Sequence, residues 1–307
     1  MYHFIINPKS RTGKGKAVWK VVQKRLEQLQ IDYTYHYTHY EFHAIQLAKK
    51  ICQEYHGEKY IIVIGGDGTV NEVINGISDF TDITLGYIPS GSSNDLARSL
   101  HIPKDPVSAL EHILNGAWYQ YFDHGCLVNI QKKSTRRFAE SAGIGFDASI
   151  CYEALHSKLK LLLNKLHLGK LTYITIAIKQ LIKYQPVNGS LVVDGKRHFD
   201  LPNLFFVSTL IHAYEGGGLK VTPQANPTDG KISVCAIYNI KKWKAILIIP
   251  SLFFGFHSYF RGVKVFDCNT LEVFTEKPLL LHTDGEFAGR SNHIRVNCYK
   301  EQVRTLL

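Results

Sequence analysis

The chain has no apolar run long enough to cross a membrane. Its most apolar window, residues 245–256, is broken by Pro250 and Gly255 and falls short of the about 20 residues that a spanning helix needs. The apolar N-terminal run at residues 2–6 is too short for a secretory signal, and no cleavage region follows it. We therefore expect a soluble, cytoplasmic protein that associates only transiently with the inner face of the membrane.

Paired cysteines are missing and acidic residues are few. The six cysteines are scattered without a C-x-x-C pair, which predicts reduced thiols rather than a disulfide framework. Lysine and arginine outnumber aspartate and glutamate by 36 to 26, so the formal charge is +10 and anionic partners are favoured. Because no nucleic-acid-binding motif is present, we expect nucleotides or an acidic membrane as the anion, and no nucleic acid.

The most informative segment is a glycine-rich turn between a buried strand and a helix. Apolar residues 60–64 run directly into Gly65-Gly-Asp-Gly-Thr-Val-Asn71, and apolar residues then recur with helical spacing. Glycines let the backbone approach a ligand closely, and the amides at a helix start attract anions. The turn therefore predicts a phosphate site.

Two common phosphate-binding motifs are absent. The pattern G-x-G-x-x-G fails because Asn71 stands at its third glycine, and the P-loop pattern fails at Ser10 and Ala17. Asp67 would repel phosphates unless a divalent cation lies between them or unless it orients a reacting group. The turn thus favours a metal–nucleotide complex over a bare dinucleotide.

The first part of the chain alternates strands with helices. Strands are predicted at residues 2–6, 32–37, 60–64 and 83–88, and a helical pattern follows each. Repeated βα units predict a parallel sheet covered by helices, with ligands at the carboxyl ends of the strands. Three of these ends carry loops rich in glycine, serine, asparagine or basic residues, so we expect the loops to meet at one site.

From about Cys126 onward short alternating strands dominate. They are predicted at residues 138–142, 189–193, 204–209, 231–237, 270–275 and 293–298, with Asp-Gly turns between some of them and a helical stretch at 149–184. The expected fold class is α/β plus β. It comprises an N-terminal parallel-sheet nucleotide-binding domain (1–124) and a C-terminal, mostly antiparallel β domain (125–307) with a cleft between. The extreme C-terminus is expected to pack back on the first domain.

Five motifs occur in a fixed order along the chain. They are Asn7-Pro-Lys-Ser10, Gly65-Gly-Asp-Gly-Thr-Val-Asn-Glu72, Leu85-Gly-Tyr-Ile-Pro-Ser-Gly-Ser-Ser-Asn-Asp-Leu-Ala-Arg98, Gly143-Ile-Gly-Phe-Asp-Ala148 and Asp284-Gly-Glu286. Together they resemble the diacylglycerol kinase catalytic family, closest to the soluble bacterial lipid kinases, with ceramide and sphingosine kinases as relatives. Gly-Gly-Asp-Gly-Thr alone is shared with NAD kinases, but the ordered set covers nearly the whole chain. The resemblance implies a β-sandwich-like second domain and Mg²⁺-dependent phosphate transfer from ATP to a lipid.

The resemblance also implies roles for individual residues. Glu286 would be the general base, with Asp284 and Asp67 as further catalytic residues. A structural Mg²⁺ would be held by Asp229, with Asn226 and the backbone carbonyl of Lys231 contributing. The residues expected to bind the nucleotide are Asn7, Ser10, Arg11, Thr12, Gly13, Lys14, Thr38, Gly65, Gly66, Asp67, Gly68, Thr69, Val70, Asn71 and Ser92, the last at a place where the family usually has threonine.

The chemistry of these residues agrees with the roles but leaves the acceptor open. Phosphoryl transfer to an alcohol needs positioned phosphates, a cation and a carboxylate that accepts the hydroxyl proton. We expect diacylglycerol as the acceptor and phosphatidic acid as the product. The alternatives are a kinase of a sphingoid base, another neutral lipid, a soluble polyol or NAD, and a non-enzymatic basic nucleotide-binding protein. Asp284-Gly-Glu286 and Asp229-Gly230 could also be ordinary turns.

Three further features carry expectations: a basic stretch, the apolar window and the strand edges of the second domain. Lysines at residues 158–170 interleave with leucines, a pattern typical of docking on an anionic membrane but also of a solvated helix face. The apolar window 245–256 would either wall a hydrophobic acceptor site or belong to the core. Exposed strand edges in the second domain would allow a homodimer.

Overall fold

The computed structural model describes residues 1–116, 119–156 and 169–306, and the chain divides into two compact units. Met1–Asp123 and Glu301–Leu307 form the first unit, and His124–Lys300 form the second. The basic stretch at 158–170, predicted to contact a membrane, lies outside the side chains that the structure describes.

The first unit is a parallel sheet. Strands β1 (Tyr2–Ile6), β2 (Tyr33–Tyr37), β3 (Lys59–Gly65) and β4 (Ile83–Pro89) lie in the order β4-β3-β1-β2. The end of the last strand, β15 (Glu286–Leu306), adds a further parallel partner beside β4. The helices are α1 (Ser10–Gln28), α2 (His43–Glu54), α3 (Asp67–Gly76), α4 (Asp95–Ser99) and α5 (Pro106–Asn115).

Apolar strands buried on both faces explain this layering. Residues 61–64 of β3 are each at most 1% exposed, as expected for a central parallel strand. On one face Trp19 of α1 and Leu110 of α5 join Phe4 and Ile62 in one core cluster. Helices α2 and α3 approach so closely that a Cβ on Gly76 would lie 2.4 Å from the carbonyl oxygen of Ile45.

The second unit is mostly antiparallel. Its strands run in the order β13-β12-β9-β7-β14-β15, and β8 pairs with both β9 and β14. The strands are β5 (Tyr119–Asn129), which begins in the first unit, β6 (Ser134–Phe138), β7 (Ser141–Gly145), β8 (Val187–Val193), β9 (Arg197–Leu210), β10 (Tyr214–Glu215), β11 (Leu219–Lys220), β12 (Ile232–Tyr238), β13 (Val263–Cys268) and β14 (Thr270–Thr283). The helices are α6 (Phe146–His156), α7 (Gly169–Lys183) and α8 (Lys242–Phe254), with a 3₁₀ turn at His257–Tyr259.

Strand β12 shows why the second unit has two cores. Val234 and Ala236 join the cluster inside the β-layers, whereas Cys235 and Ile237 join the cluster beneath the helices. Successive side chains of a strand point to opposite faces, so an uninterrupted apolar strand must be covered on both sides. The α/β plus β class predicted from the sequence is therefore observed.

The strand predicted at residues 138–142 is wrong in its bounds, because β6 ends at Phe138 and β7 begins at Ser141. The backbone amides of residues 139–141 donate to the carboxylate of Asp284 at 2.9, 2.8 and 2.9 Å. The Asp284 side chain, which is distant in the sequence, thus accepts hydrogen bonds from three backbone amides at this break. No local sequence pattern predicts these hydrogen bonds.

Candidate functional site

The carboxyl ends of the parallel strands lie side by side in the first unit. The amides of Asn7, Thr38 and Ser90 each donate to the terminal carbonyl of a neighbouring strand, at 2.8, 2.8 and 2.7 Å. The loops that leave β1, β2, β3 and β4 therefore begin at one edge of the sheet, as the sequence predicts for ligand-binding loops.

The glycine-rich turn after β3 forms a cradle without side chains. A Cβ built on Gly91 would lie 2.6 Å from the Cα of Gly66, and one built on Gly66 would lie 3.2 Å from the Cα of Gly91. The two backbones can pass this closely only as glycines. Helix α3 begins at once with Asp67, so the positive end of its dipole lies at the cradle.

Asp67 is held by groups from β4 and the loop that follows. The hydroxyl of Tyr87 lies 3.3 Å from Oδ1 of Asp67 and 3.2 Å from Oδ1 of Asn94. The backbone amide of Asp95 donates to Oδ2 of Asp67 at 3.2 Å. Tyr87 and Asp95 were not among the predicted site residues, although both lie inside the Leu85–Arg98 motif.

Two side-chain hydrogen bonds tie the loop after β1 to its neighbours. Nδ2 of Asn7 donates to Oγ1 of Thr69 at 3.1 Å, which joins the first loop to the glycine turn. The hydroxyls of Ser10 and Ser90 lie 2.7 Å apart, which joins the first loop to the end of β4. Ser90, like Tyr87, was missed by reasoning from the sequence.

The loop after β1 has an unusual backbone. Arg11, Thr12 and Gly13 have φ angles of 42°, 61° and 96°, so three consecutive residues lie in the left-handed region within the span of α1. For Arg11 and Thr12 such angles carry strain, and strained backbone concentrates at ligand-binding loops. Arg11, Thr12 and Lys14 are exposed, so their side-chain donors are available to an anion, whereas the Gly13 amide donates to the carbonyl of Lys9 at 3.4 Å.

The remaining predicted nucleotide residues differ in accessibility. Val70 and Asn71 are 3% and 0% exposed and lie within α3, whereas Ser92 is exposed in the loop after β4. Gly65 faces Thr69, since a Cβ on Gly65 would lie 2.6 Å from the Thr69 side chain. The side chains of Val70 and Asn71 are therefore buried, and nucleotide contacts by these two residues stay a prediction.

In the second unit Asp284 and Gly285 make the turn between β14 and β15. Both residues have positive φ, 48° and 79°, and Glu286 pairs with Thr283 across a two-residue hairpin. The Asp284 carboxylate accepts the three amides of residues 139–141, and its own amide donates to the carbonyl of Ser141 at 2.7 Å. Asp284 thus fixes the turn, and the half-buried Glu286 opens β15 directly after it.

Two carboxylates converge on a buried histidine beside this turn. Nε2 of His282 lies 3.2 Å from Oδ2 of Asp147 and 3.2 Å from Oε1 of Glu215. Ser141 and Ser208 donate their hydroxyl hydrogens to the two Glu215 oxygens at 3.0 and 2.9 Å. Asp147, Glu215 and His282 could offer ligand atoms to a metal ion, and these atoms lie within 4.8 Å of one another. Among the described residues this is the one such group of three histidine, cysteine, aspartate or glutamate side chains.

The electrostatics of this group favour a protonated histidine. Burial lowers the pKa of His282, but the hydrogen bond to Asp147 and the charges of Glu215, Asp147 and Asp284 outweigh it and raise that pKa to about 9. Burial raises the pKa of Glu215, against the opposing charge of His282. A protonated His282 offsets one of the two neighbouring carboxylate charges.

Gly143 makes room for these side chains. A Cβ on Gly143 would lie 2.0 Å from Oδ2 of Asp147 and 2.4 Å from Nε2 of His282. The sequence held a signal for Asp147 in the motif Gly143-Ile-Gly-Phe-Asp-Ala148, but no role was assigned to it. His282 and Glu215 were missed, although Glu215 precedes three consecutive glycines of positive φ.

An apolar cavity of about 170 Å³ opens at the two carboxylates. Of the described residues that line it, Asp147 and Glu215 are the two that carry charge, and α8 supplies part of its wall. The apolar lining includes Phe146, Phe205, Ile237, Ala245, Ile248 and Leu252. Ala245, Ile248 and Leu252 of the apolar window 245–256 thus line a cavity and also belong to the core cluster beneath the helices, and the acceptor site stays a prediction.

The predicted structural metal site is a surface loop of the second unit. Oδ1 of Asn226 accepts from the amide and hydroxyl of Thr228 at 3.1 and 2.9 Å, and Oδ1 of Asp229 accepts from the amide of Lys231 at 3.0 Å. Both oxygens thus accept hydrogen bonds from within the loop. Oxygen atoms are the ligands that Mg²⁺ prefers, and Asp229 would be the carboxylate ligand, so the metal site stays a prediction.

No helix within the described ranges is both long and apolar enough to span a bilayer.

Comparison with known proteins identifies the family. Residues 1–122 match the diacylglycerol kinase catalytic domain, and residues 142–304 match the YegS C-terminal NAD kinase beta sandwich-like domain. The chain is 30% identical to the "Putative lipid kinase YtlR" of Bacillus subtilis over 292 residues, 94% of each chain. It is 28% identical to the diacylglycerol kinase of Bacillus subtilis over 96% of this chain and 93% of that one.

A solved structure shares the fold. The crystal structure of a "putative diacylglycerol kinase" from Bacillus anthracis str. Sterne superposes with a TM-score of 0.75 at 19% identity and covers 99% of this chain and 96% of its own. The chain belongs to the diacylglycerol kinase-like family of lipid kinases. Membership in this kinase family implies ATP as the phosphate donor.

Proposed function

We propose that the protein transfers the γ-phosphate of ATP to the hydroxyl of membrane diacylglycerol and releases phosphatidic acid. The observation that carries the proposal is the apolar cavity. Its charged lining residue Glu215 is connected by hydrogen bonds to Asp284, in the turn that precedes Glu286. Ser141 makes this coupling, because its amide donates to Asp284 at 2.9 Å and its hydroxyl donates to Glu215 at 3.0 Å. An apolar segment of an acyl chain would occupy this cavity, and the acceptor hydroxyl would lie on the side of the Glu286 turn.

The first unit would hold the nucleotide. Its side-chain-free cradle at Gly66 and Gly91 gives phosphate oxygens access to the backbone and to the start of α3. The exposed donors at residues 11–14 would add positive charge, and Asn7 would fix Thr69 at the turn. The Asp67 carboxylate fits a magnesium ion bound to the nucleotide, which would offset charge that develops during transfer.

Glu286 would act as the general base. A carboxylate that accepts the acceptor's hydroxyl proton makes the oxygen a better nucleophile toward the γ-phosphate. The hairpin at Asp284 and Gly285 sets the position of Glu286, because three amides and one carbonyl hold Asp284 in place. We assign Asp284 to positioning and Glu286 to proton transfer.

The same observation favours a neutral acceptor headgroup over a cationic one. His282 lies 3.2 Å from both Asp147 and Glu215 and, when protonated, offsets one of their two charges, so less negative charge is left for an ammonium group than two free carboxylates would offer. A hydroxyl needs only hydrogen-bond partners. Diacylglycerol meets this requirement better than a sphingoid base does.

Labelling of lipids with γ-labelled ATP in mixed micelles tests the proposal. Diacylglycerol, monoacylglycerol, ceramide and a sphingoid base are offered separately with Mg²⁺. Label in phosphatidic acid is the expected result, and label mainly in a sphingoid-base phosphate would overturn the acceptor. If no lipid is labelled and no Mg²⁺-dependent ATP hydrolysis occurs, the protein only binds nucleotide.

A further inference from the structure

Helix α8 and the turn after it expose a patch of large apolar side chains. We call this patch, within residues 240–262, the apolar apron. Its most exposed members are Tyr259 at 85%, Phe254 at 69%, Phe256 at 60% and Trp243 at 56%. Ile246, Leu247 and Phe253 are also exposed on the same helix. Single exposed apolar residues are ordinary, but a contiguous group marks an interaction surface.

The fold holds these side chains at the surface. Gly255, with a φ of 75°, ends α8, and a Cβ there would lie 2.7 Å from Cγ of Pro223. The buried His257 ring lies 2.8 Å from the carbonyl oxygen of Val221, which anchors the following 3₁₀ turn. The rings of Phe254 and Phe256 stack with centroids 6.4 Å apart, and Tyr259 lies 6.4 Å beyond Phe256.

The charges of the apolar apron are all positive. Residues 240–262 contain Lys241, Lys242, Lys244 and Arg261 but no aspartate or glutamate. The Lys244 ammonium lies 5.7 Å from the centroid of the Trp243 ring, so a cation sits directly beside an exposed aromatic. Aromatic and aliphatic side chains with adjacent lysines are the combination that binds the interface of an anionic bilayer.

A second copy of this chain fits the surface less well. A two-fold interface would place the same patch on both partners, so the four cations would face four more. Like charges buried at an interface oppose association. Anionic lipid headgroups instead supply the opposite charge and leave the apolar side chains in the acyl region.

We propose that the apolar apron inserts into the interface of an anionic membrane. The position of the apolar apron also gives lipids an apolar path into the protein. Ala245, Ile248 and Leu252 on the inner face of α8 line the apolar cavity, whereas Ile246 and Leu247 point outward. An acyl chain would therefore pass from the bilayer to the cavity along one helix. Membrane binding itself does not depend on which acceptor is phosphorylated.

Vesicle flotation without ATP tests this proposal. The full chain is mixed with phosphatidylcholine vesicles, or with vesicles of equal parts phosphatidylcholine and phosphatidylglycerol, at several salt concentrations. We expect binding to the anionic vesicles that weakens with salt. Replacing two inserted rings, as in Phe254→Ser/Phe256→Ser, should weaken binding roughly tenfold or more. Lys241→Ala/Lys244→Ala should weaken only the phosphatidylglycerol-dependent part, by roughly tenfold.

Fluorescence locates the contact. The emission of exposed Trp243 should shift to the blue on vesicle binding, and Trp243→Phe should remove that shift while the protein still floats. Val21→Ser and Lys20→Ala/Lys24→Ala change exposed residues of α1 and serve as matched controls that should bind like the parent. Melting temperatures check that each variant is folded.

Three results would overturn the proposal. The first is unchanged vesicle binding by folded Phe254→Ser/Phe256→Ser, and the second is flotation without any change in Trp243 emission. The third is a parent dimer that Phe254→Ser/Phe256→Ser converts to a monomer, which would assign the apolar apron to a second copy. A chain that binds vesicles but phosphorylates no lipid would leave this inference intact and refute the proposed function instead.

Discussion

At the scale of single residues, Glu286 and Asp284 stand two positions apart but have different surroundings. Asp284 is 8% exposed and accepts three amides, so its oxygens are committed to residues 139–141. Glu286 is half-buried and follows the turn that Asp284 fixes. The sequence alone could not separate these roles, because the three amides come from a segment about half the chain away.

Substitution distinguishes the two roles. Glu286→Gln keeps the side-chain shape but cannot accept a proton, so kcat should fall by roughly 10²–10⁴-fold with the ATP KM little changed. Asp284→Asn should lower the melting temperature by several degrees, because it replaces a charged acceptor of several amides. Glu276→Gln, at an exposed site of β14, is the matched control for steady-state kinetics. Normal kcat in Glu286→Gln would refute the base.

His282 makes a second prediction, which concerns pH. Its pKa is about 9 in the folded protein and 6.5 without the fold, so its stabilising contribution is complete below pH 6.5 and is lost as the pH rises through 9. This rise in the pKa of His282 corresponds to roughly 3 kcal/mol in the free energy of unfolding. Melting of the parent should therefore fall over this window more steeply than melting of His282→Gln.

Exposed His56→Gln serves as the control for this pH series and should follow the parent. Equal pH profiles for the parent and His282→Gln would show that His282 is neutral in the folded protein.

At the scale of secondary structure elements, hydrophobic patterning predicted strands and turns. It did not predict hydrogen bonds between side chains and backbone groups that are distant in the sequence. The buried strand at residues 60–64 and the two-residue turn at Asp284 follow from local rules, and both are observed. The break after Phe138 was missed because Asp284 takes the amides that a continuous strand would pair. Pairing among distant polar groups has no local periodicity, which also explains why His282 and Glu215 were missed.

Helix α8 carries a prediction about acceptor size. Ala245 lines the cavity with a small side chain, so Ala245→Phe should fill part of the about 170 Å³ volume. Activity on long-chain diacylglycerol should fall, while activity on a short-chain, water-soluble acceptor is retained. Val21→Phe, at an exposed position of α1, is the matched control. Equal loss on both acceptors would place acyl chains outside this cavity.

The loop at Asn226 and Asp229 allows a test of the proposed structural Mg²⁺. A cation that binds only the folded protein raises the melting temperature with concentration. The parent should show this rise and Asp229→Ala should lose it, while exposed Asp200→Ala should behave like the parent. A parent melting temperature that does not change with Mg²⁺ concentration would count against a metal in this loop.

At the scale of the whole molecule, the sequence predicted the fold class because two different periodicities divide the chain. Alternating βα units predicted the parallel unit, and short alternating strands predicted the antiparallel one. The ordered motifs pointed to the family, whereas the cavity could not be predicted. Its lining comes from α6, α7, α8 and from β9, β10, β11 and β12, and no sequence pattern brings these elements together.

The last prediction concerns how the two units share the reaction. Asp67 belongs to the first unit and Glu286 to the second, so their variants should fail at different steps. With Mg²⁺ and no acceptor, Glu286→Gln should retain the slow hydrolysis of ATP, whereas Asp67→Ala should lose it. With diacylglycerol present both variants should lose transfer, because the reaction needs both the nucleotide and the base. Asp79→Ala, an exposed aspartate of the first unit, is the matched control and should match the parent. Full transfer by folded Asp67→Ala would refute the nucleotide assignment of the glycine turn. Loss of hydrolysis in Glu286→Gln would instead place Glu286 in the handling of the nucleotide.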